Sequence, residues 1–228
     1  VQPIIIGGQS AILKHREFAL FVDGATLFGF FTLALFLLMF SRVRASRGIT
    51  LYLGLFSLAA LVYILTHGEK LIAVMPGLPY EIVLKLQLAS STLVYYYLLR
   101  YVANSINYPM PEAVMKASKA ITSVLLLIAV FVPAQYFSYL EGMLLTWGVV
   151  AISFVLYSMV AGTRRNPKNM FLMMVSIESL SVVIIYYLAS VWNLAFHYYV
   201  LSYEIILFGF FQAIVMARQY AVSFLEVE

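Results

Sequence analysis

Seven long apolar stretches occupy most of this 228-residue chain, and the basic residues fall almost wholly in alternate gaps between them. About 20 consecutive apolar residues is the length a helix needs to cross a bilayer. Inside lipid the backbone must satisfy its own hydrogen bonds, which leaves helices or a closed barrel. Barrel strands alternate apolar and polar residues, whereas these stretches are continuously apolar. Composition points the same way: 64% of the residues are hydrophobic and 11% charged, against about 45–50% and about 25% in soluble domains. The expected fold is an all-α bundle of seven transmembrane helices.

The spans read as Phe18 to Phe40, Ile49 to His67, Tyr80 to Val102, a fourth ending near Val132 before Pro133, Leu140 to Ala161, Met170 to Trp192, and Tyr198 to Ala217. Cytoplasmic loops carry an excess of lysine and arginine. Arg42, Arg44, Arg47, Arg100, Lys116, Lys119, Arg164, Arg165, Lys168 and Arg218 fall on one side, and only Lys14, Arg16, Lys70 and Lys85 on the other. This places the N-terminus outside and the C-terminus in the cytoplasm. The net charge of +4 is thus a topology signal, and no nucleic-acid partner is expected. Residues 1–17 read as an extracytoplasmic linker or the end of an outer domain, with Val1 to Lys14 as its last strand. Residues 18–217 read as the membrane domain and 218–228 as the start of a cytoplasmic helix.

Ionisable groups inside a bilayer are expensive and usually face a cavity or a partner. Asp23 lies roughly 8 Å below the outer edge of span 1 at 1.5 Å per residue, and Glu204 is at a similar depth in span 7. His67, Glu81 and Lys85 sit near the same level, with Glu81 and Lys85 on one helix face at i,i+4. One reading is an outward-opening ligand pocket lined by Asp23, His67, Glu81, Lys85 and Glu204. The other is a set of ordinary interfacial polar groups. Glu178 falls near the middle of span 6, either as a buried carboxyl bonded to a neighbouring helix or as a switch residue.

Several chemistries lack their residues. Without cysteine there is no disulfide framework or thiolate metal site. Span 7 has no lysine for a retinal Schiff base, no HExxH pattern occurs, and His15, His67 and His197 are too scattered for a metal centre. No cofactor, metal or catalytic residue is expected. The end of span 7 runs on from Gln212 through Arg218 to Phe224 without a glycine or proline break. Ala217, Ala221 and Phe224-Leu225 form an apolar stripe suited to starting a coiled coil. Gln212, Arg218 and Phe224 are therefore the expected relay residues.

Three stretches carry a resemblance. They are Arg47-Gly48-Ile49-Thr50-Leu51-Tyr52-Leu53-Gly54-Leu55-Phe56 leading to His67-Gly68-Glu69 and the turn Met75-Pro76-Gly77-Leu78; the aromatic end of span 3, Tyr95-Tyr96-Tyr97-Leu98-Leu99-Arg100; and Phe210-Phe211-Gln212-Ala213 through Ala217-Arg218-Gln219-Tyr220 to Phe224-Leu225-Glu226-Val227-Glu228. With these the chain, from about Lys14 onward, resembles the membrane domain of bacterial seven-transmembrane receptors with diverse intracellular signalling modules. The resemblance implies an outer β-sandwich sensing domain before span 1. It implies a histidine kinase, diguanylate cyclase or related output module after span 7. The expectation is a non-enzymatic sensor module of the bacterial inner membrane, working as a homodimer with lipid or an unidentified small molecule as ligand. The alternative is a transporter or channel for a small solute or protons.

Overall fold

A computed structural model describes residues 9–42, 47–66, 78–105, 110–165, 170–191 and 199–225. They form seven α-helices: α1 (Gln9–Phe40), α2 (Arg47–Thr66), α3 (Tyr80–Ser105), α4 (Glu112–Phe131), α5 (Phe137–Arg165), α6 (Met170–Val191) and α7 (Tyr199–Leu225). A 3-10 turn, Ala134–Tyr136, joins α4 to α5, and no strand occurs among the described residues. Helices α1 to α5 are long and apolar enough to cross a membrane, and α6 adds an apolar stretch over Met174–Val183. By helix length and composition the chain is a multi-pass membrane protein. Its outer surface fits that environment: Phe21, Phe28, Met39 and Phe131 are each more than 70% exposed, a display of apolar surface that water-soluble monomers avoid.

Helix ends follow local chemistry. At the end of α4, Val132 adopts an extended φ/ψ of −90°/136°, as a residue before proline must, because the Pro133 ring crowds the helical conformation. Pro79 lies just ahead of α3, where its carbonyl accepts the amides of Ile82 and Val83. Two boundaries differ from expectation. The first helix begins at Gln9, so the stretch expected as strand is helical from that residue onward. Lys116 and Lys119 lie within α4 rather than in the connection before it. Helix α7 runs unbroken to Leu225, as expected.

The helices α1, α2, α3, α5, α6 and α7 form a closed ring, each packed on the next with α7 returning to α1, while α4 lies mainly against α3. Fully buried Phe30, Leu53, Phe56, Leu99, Ile152 and Phe208 fill the centre. Close approach is set by glycine at two seams. A Cβ on Gly148 would lie 2.6 Å from the Tyr95 ring, locking α5 against α3, and one on Gly54 would lie 3.1 Å from Leu38. Between α1 and α7, Gly29 meets Ile206 and Leu33 meets Gly209. Residue numbers rise together along this pair, so the two helices run parallel and Phe40 comes level with Ala217.

Candidate functional site

Most hydroxyls in this bundle satisfy themselves within their own helix. Thr26, Ser57, Thr92 and Ser181 each donate to the carbonyl four residues earlier, at 2.7–2.9 Å. Such back-bonding removes a polar group from the packing problem without linking helices. Gln212 cannot do this so simply. Its side chain brings two donors and an acceptor into a position only 1% exposed, where unmatched polar groups are costly. It is matched across helices. The Tyr101 hydroxyl donates to Gln212 Oε1, and Gln212 Nε2 donates to Ser176 Oγ at 2.6 Å. Tyr101 and Ser176 are themselves buried, so this node ties α7 to α3 and α6 inside the core. It lies about 20 Å along α7 from Tyr199 at 1.5 Å per residue, toward the end that carries Arg218.

One turn above Gln212 on the same face, Phe208 stacks edge-on against Phe56 (ring centroids 5.8 Å apart) and against Tyr101 (6.4 Å). Phe208 is also in the wall of a central cavity of about 30 Å³, walled mainly by apolar side chains of α2, α3, α5, α6 and α7, among them Ala60, Tyr95, Leu98, Ile152 and Val183. The cavity, Phe208, Tyr101 and Gln212 therefore form one continuous line of contact. A second cavity of about 230 Å³ opens at the α1–α7 seam near the basic end.

Four of the five residues expected to line a pocket are described, on α1, α3 and α7. Asp23 is buried in α1 and Glu204 is half-buried in α7. Glu81 and Lys85 pair with each other at 3.0 Å on α3, and Lys85 Nζ reaches the Val130 carbonyl of α4 at 3.4 Å. His67 lies outside the described residues. None of the four described residues lines either cavity. Glu178, expected to be buried, is exposed on the outer face of α6. The reason is helical phase: two residues turn a helix by about 200°, and Ser176 already occupies the core-facing position. Arg218 is exposed, and Phe224 lies within α7 with its side chain outside the described residues. Arg100, in the aromatic run of α3, donates from Nε to the Tyr96 hydroxyl at 3.1 Å, with its guanidinium 5.4 Å from that ring. That pairing is structural.

Of the two expected relay residues whose side chains are described, Gln212, unlike Arg218, lies at a buried junction. Its partners Tyr101 and Ser176 were not anticipated. The available signal was depth: an amide in the middle of an apolar span needs partners, and both residues come at matching depth if spans 3, 6 and 7 alternate in direction. Compared with family models, curated proteins and solved structures, the chain has no match.

Proposed function

We propose that this chain is the seven-helix transmembrane module of a bacterial inner-membrane signalling receptor, N-terminus outside and C-terminus in the cytoplasm. In this reading a change outside, or at the membrane, shifts helix packing. The shift moves α7, whose continuation changes the pairing of cytoplasmic output domains of the histidine kinase or diguanylate cyclase kind in a homodimer. The observation that carries the reading is the Tyr101–Gln212–Ser176 node. It fastens the last helix to two others at a buried polar junction, and the helix then runs on past Arg218 to Leu225. The ten-to-four split of basic residues supports the orientation.

The test joins residues 1–228 in frame to a histidine-kinase reporter and reads autophosphorylation in membranes. Releasing the node with Gln212→Leu, at unchanged membrane level, is expected to shift basal kinase activity. Inserting one to four alanines after Glu228 is expected to make activity rise and fall with helical phase. Activity indifferent to both changes would overturn the relay. Solute or proton flux through the chain in liposomes would favour a transporter instead.

A further inference from the structure

We propose that the seam between α1 and α7 is a binding site for one anionic phospholipid, with an acyl chain in the groove and the phosphate between Arg42 and Arg218. The groove has a volume of about 230 Å³ and is lined by Phe36, Phe40, Thr50, Ala213, Met216 and Ala217. That volume is several times the roughly 30 Å³ of a water molecule in the liquid, and the walls are almost wholly apolar. Phe36, Phe40 and Ala217 are exposed, so the groove opens on the surface that faces lipid. Its natural occupant is hydrocarbon.

Charge decides which lipid. The parallel register of α1 and α7, set by Gly29 on Ile206 and Leu33 on Gly209, brings Arg42 level with Arg218. Each lies just beyond the groove's last residues, Phe40 and Ala217. Both arginines are exposed, and neither is in an ion pair among the described residues. Two guanidiniums at the mouth of a hydrocarbon groove match a phosphate above an acyl chain, and arginine recognises phosphate bidentately. A zwitterionic headgroup offers the same phosphate with its charge cancelled. The site therefore discriminates by net headgroup charge. The proposal rests on the membrane orientation given above, which puts this end at the cytoplasmic leaflet. It does not rest on the relay.

The test is native mass spectrometry of the purified chain in mild detergent with equimolar dioleoyl-phosphatidylglycerol and dioleoyl-phosphatidylcholine. An arginine near a membrane surface favours anionic lipid on the order of 5-fold, so the pair gives a preference of about 25-fold for phosphatidylglycerol. The double variant Arg42→Gln/Arg218→Gln, folded by circular dichroism, is expected to bind the two lipids about equally. Ala217→Trp, which fills the groove and keeps both arginines, is expected to lose both lipids. Equal retention by the native chain would overturn the site, as would an unchanged preference in the arginine variant or retained lipid in Ala217→Trp. Gln212→Leu is expected to leave the preference for phosphatidylglycerol over phosphatidylcholine unaltered while shifting the kinase reporter, so failure of the lipid site and failure of the relay read out separately.

Discussion

Replacing Gln212 by leucine tests the buried junction directly. Leucine is similar in size to glutamine and removes both interhelical hydrogen bonds at once. Ser176 can then turn its hydroxyl to a carbonyl of its own helix, as Ser181 does with Ile177 at 2.7 Å. Tyr101, whose hydroxyl stands at the end of a rigid, fully buried ring, keeps only the neighbouring Ser105 side chain. Interhelical hydrogen bonds in membranes contribute about 0.6 kcal/mol on average and up to about 1.7. A buried hydroxyl left with a poorer partner costs part of the about 1–3 kcal/mol that one left with none would cost. These are two descriptions of the same loss, so they are not summed. Gln212→Leu is expected to destabilise the bundle by roughly 2 kcal/mol. Tyr101→Phe alone, which leaves the Gln212 carbonyl oxygen short of a donor, is expected to cost about 1 kcal/mol. The assay is reversible unfolding in mixed detergent–SDS micelles, run as a double-mutant cycle. A coupling of about 0.6–1.7 kcal/mol between the two positions is expected. Single-variant losses that add to within about 0.3 kcal/mol, or a Gln212→Leu chain as stable as the native one, would refute the node.

Three further outcomes follow from the structure. Gly148→Ala drives a methyl group to 2.6 Å from Tyr95 Cζ, so it is expected to cost about 1–3 kcal/mol by overpacking in the same unfolding assay. Gly142→Ala, on the same helix with nothing within 4 Å of its Cβ, is expected to be neutral or to stabilise by up to about 1 kcal/mol. Glu81→Gln breaks the exposed 3.0 Å pair with Lys85 and is expected to leave the unfolding midpoint unchanged, because exposed ion pairs contribute little; a lowered midpoint would assign the pair a structural role.

The helices were legible because lipid imposes a length and a composition that short-range pattern alone can reveal. Their ends were less so. Lys116 and Lys119 read as loop residues from charge, yet they extend α4 on an exposed face, where charge costs a helix nothing. Burial was legible for Asp23 but not for Glu178, and the difference is one of phase. Asp23 lies on the buried face of α1, close to buried Val22 and Thr26. The polar residues of α6, Ser176, Glu178, Ser179 and Ser181, are spread around the helix rather than gathered on one face, so the sequence offers no single polar face against which Glu178 can be oriented. The charged pocket was read from depth alone. Depth along a span does not say which helix faces meet: Glu81 and Lys85 pair with each other on α3, and Lys85 reaches the Val130 carbonyl of α4, while Asp23 and Glu204 lie on the neighbouring helices α1 and α7. Gln212 stood out for a physical reason that holds whatever the neighbours: an amide cannot be hidden in an apolar core as simply as a hydroxyl can.

The order of contacts along α7 determines which movement of that helix costs least. Its first half is held against α1 by Ile206 on Gly29 and Gly209 on Leu33, where added methyl groups would come within 2.9 Å of their neighbours. Sliding α7 along its axis would break both contacts together. One turn further on, Gln212 pins the helix to α3 and α6. Beyond that, from Ala213 to Ala217, the α1 seam opens into the groove and close packing against α1 gives way to space. A swing of the last turns about the Gly209–Leu33 contact therefore sacrifices little packing against α1, and the Gln212 bonds, with buried Val215 and Met216, resist it. Under the relay reading this makes Gln212 the latch and the α1–α7 groove the space into which the swing occurs. A lipid chain seated in that groove would stiffen the latch from outside the bundle. Signal transmission and lipid binding then act on the same few residues of one helix, and in opposition: filling the groove should raise the cost of the motion that releasing the node lowers.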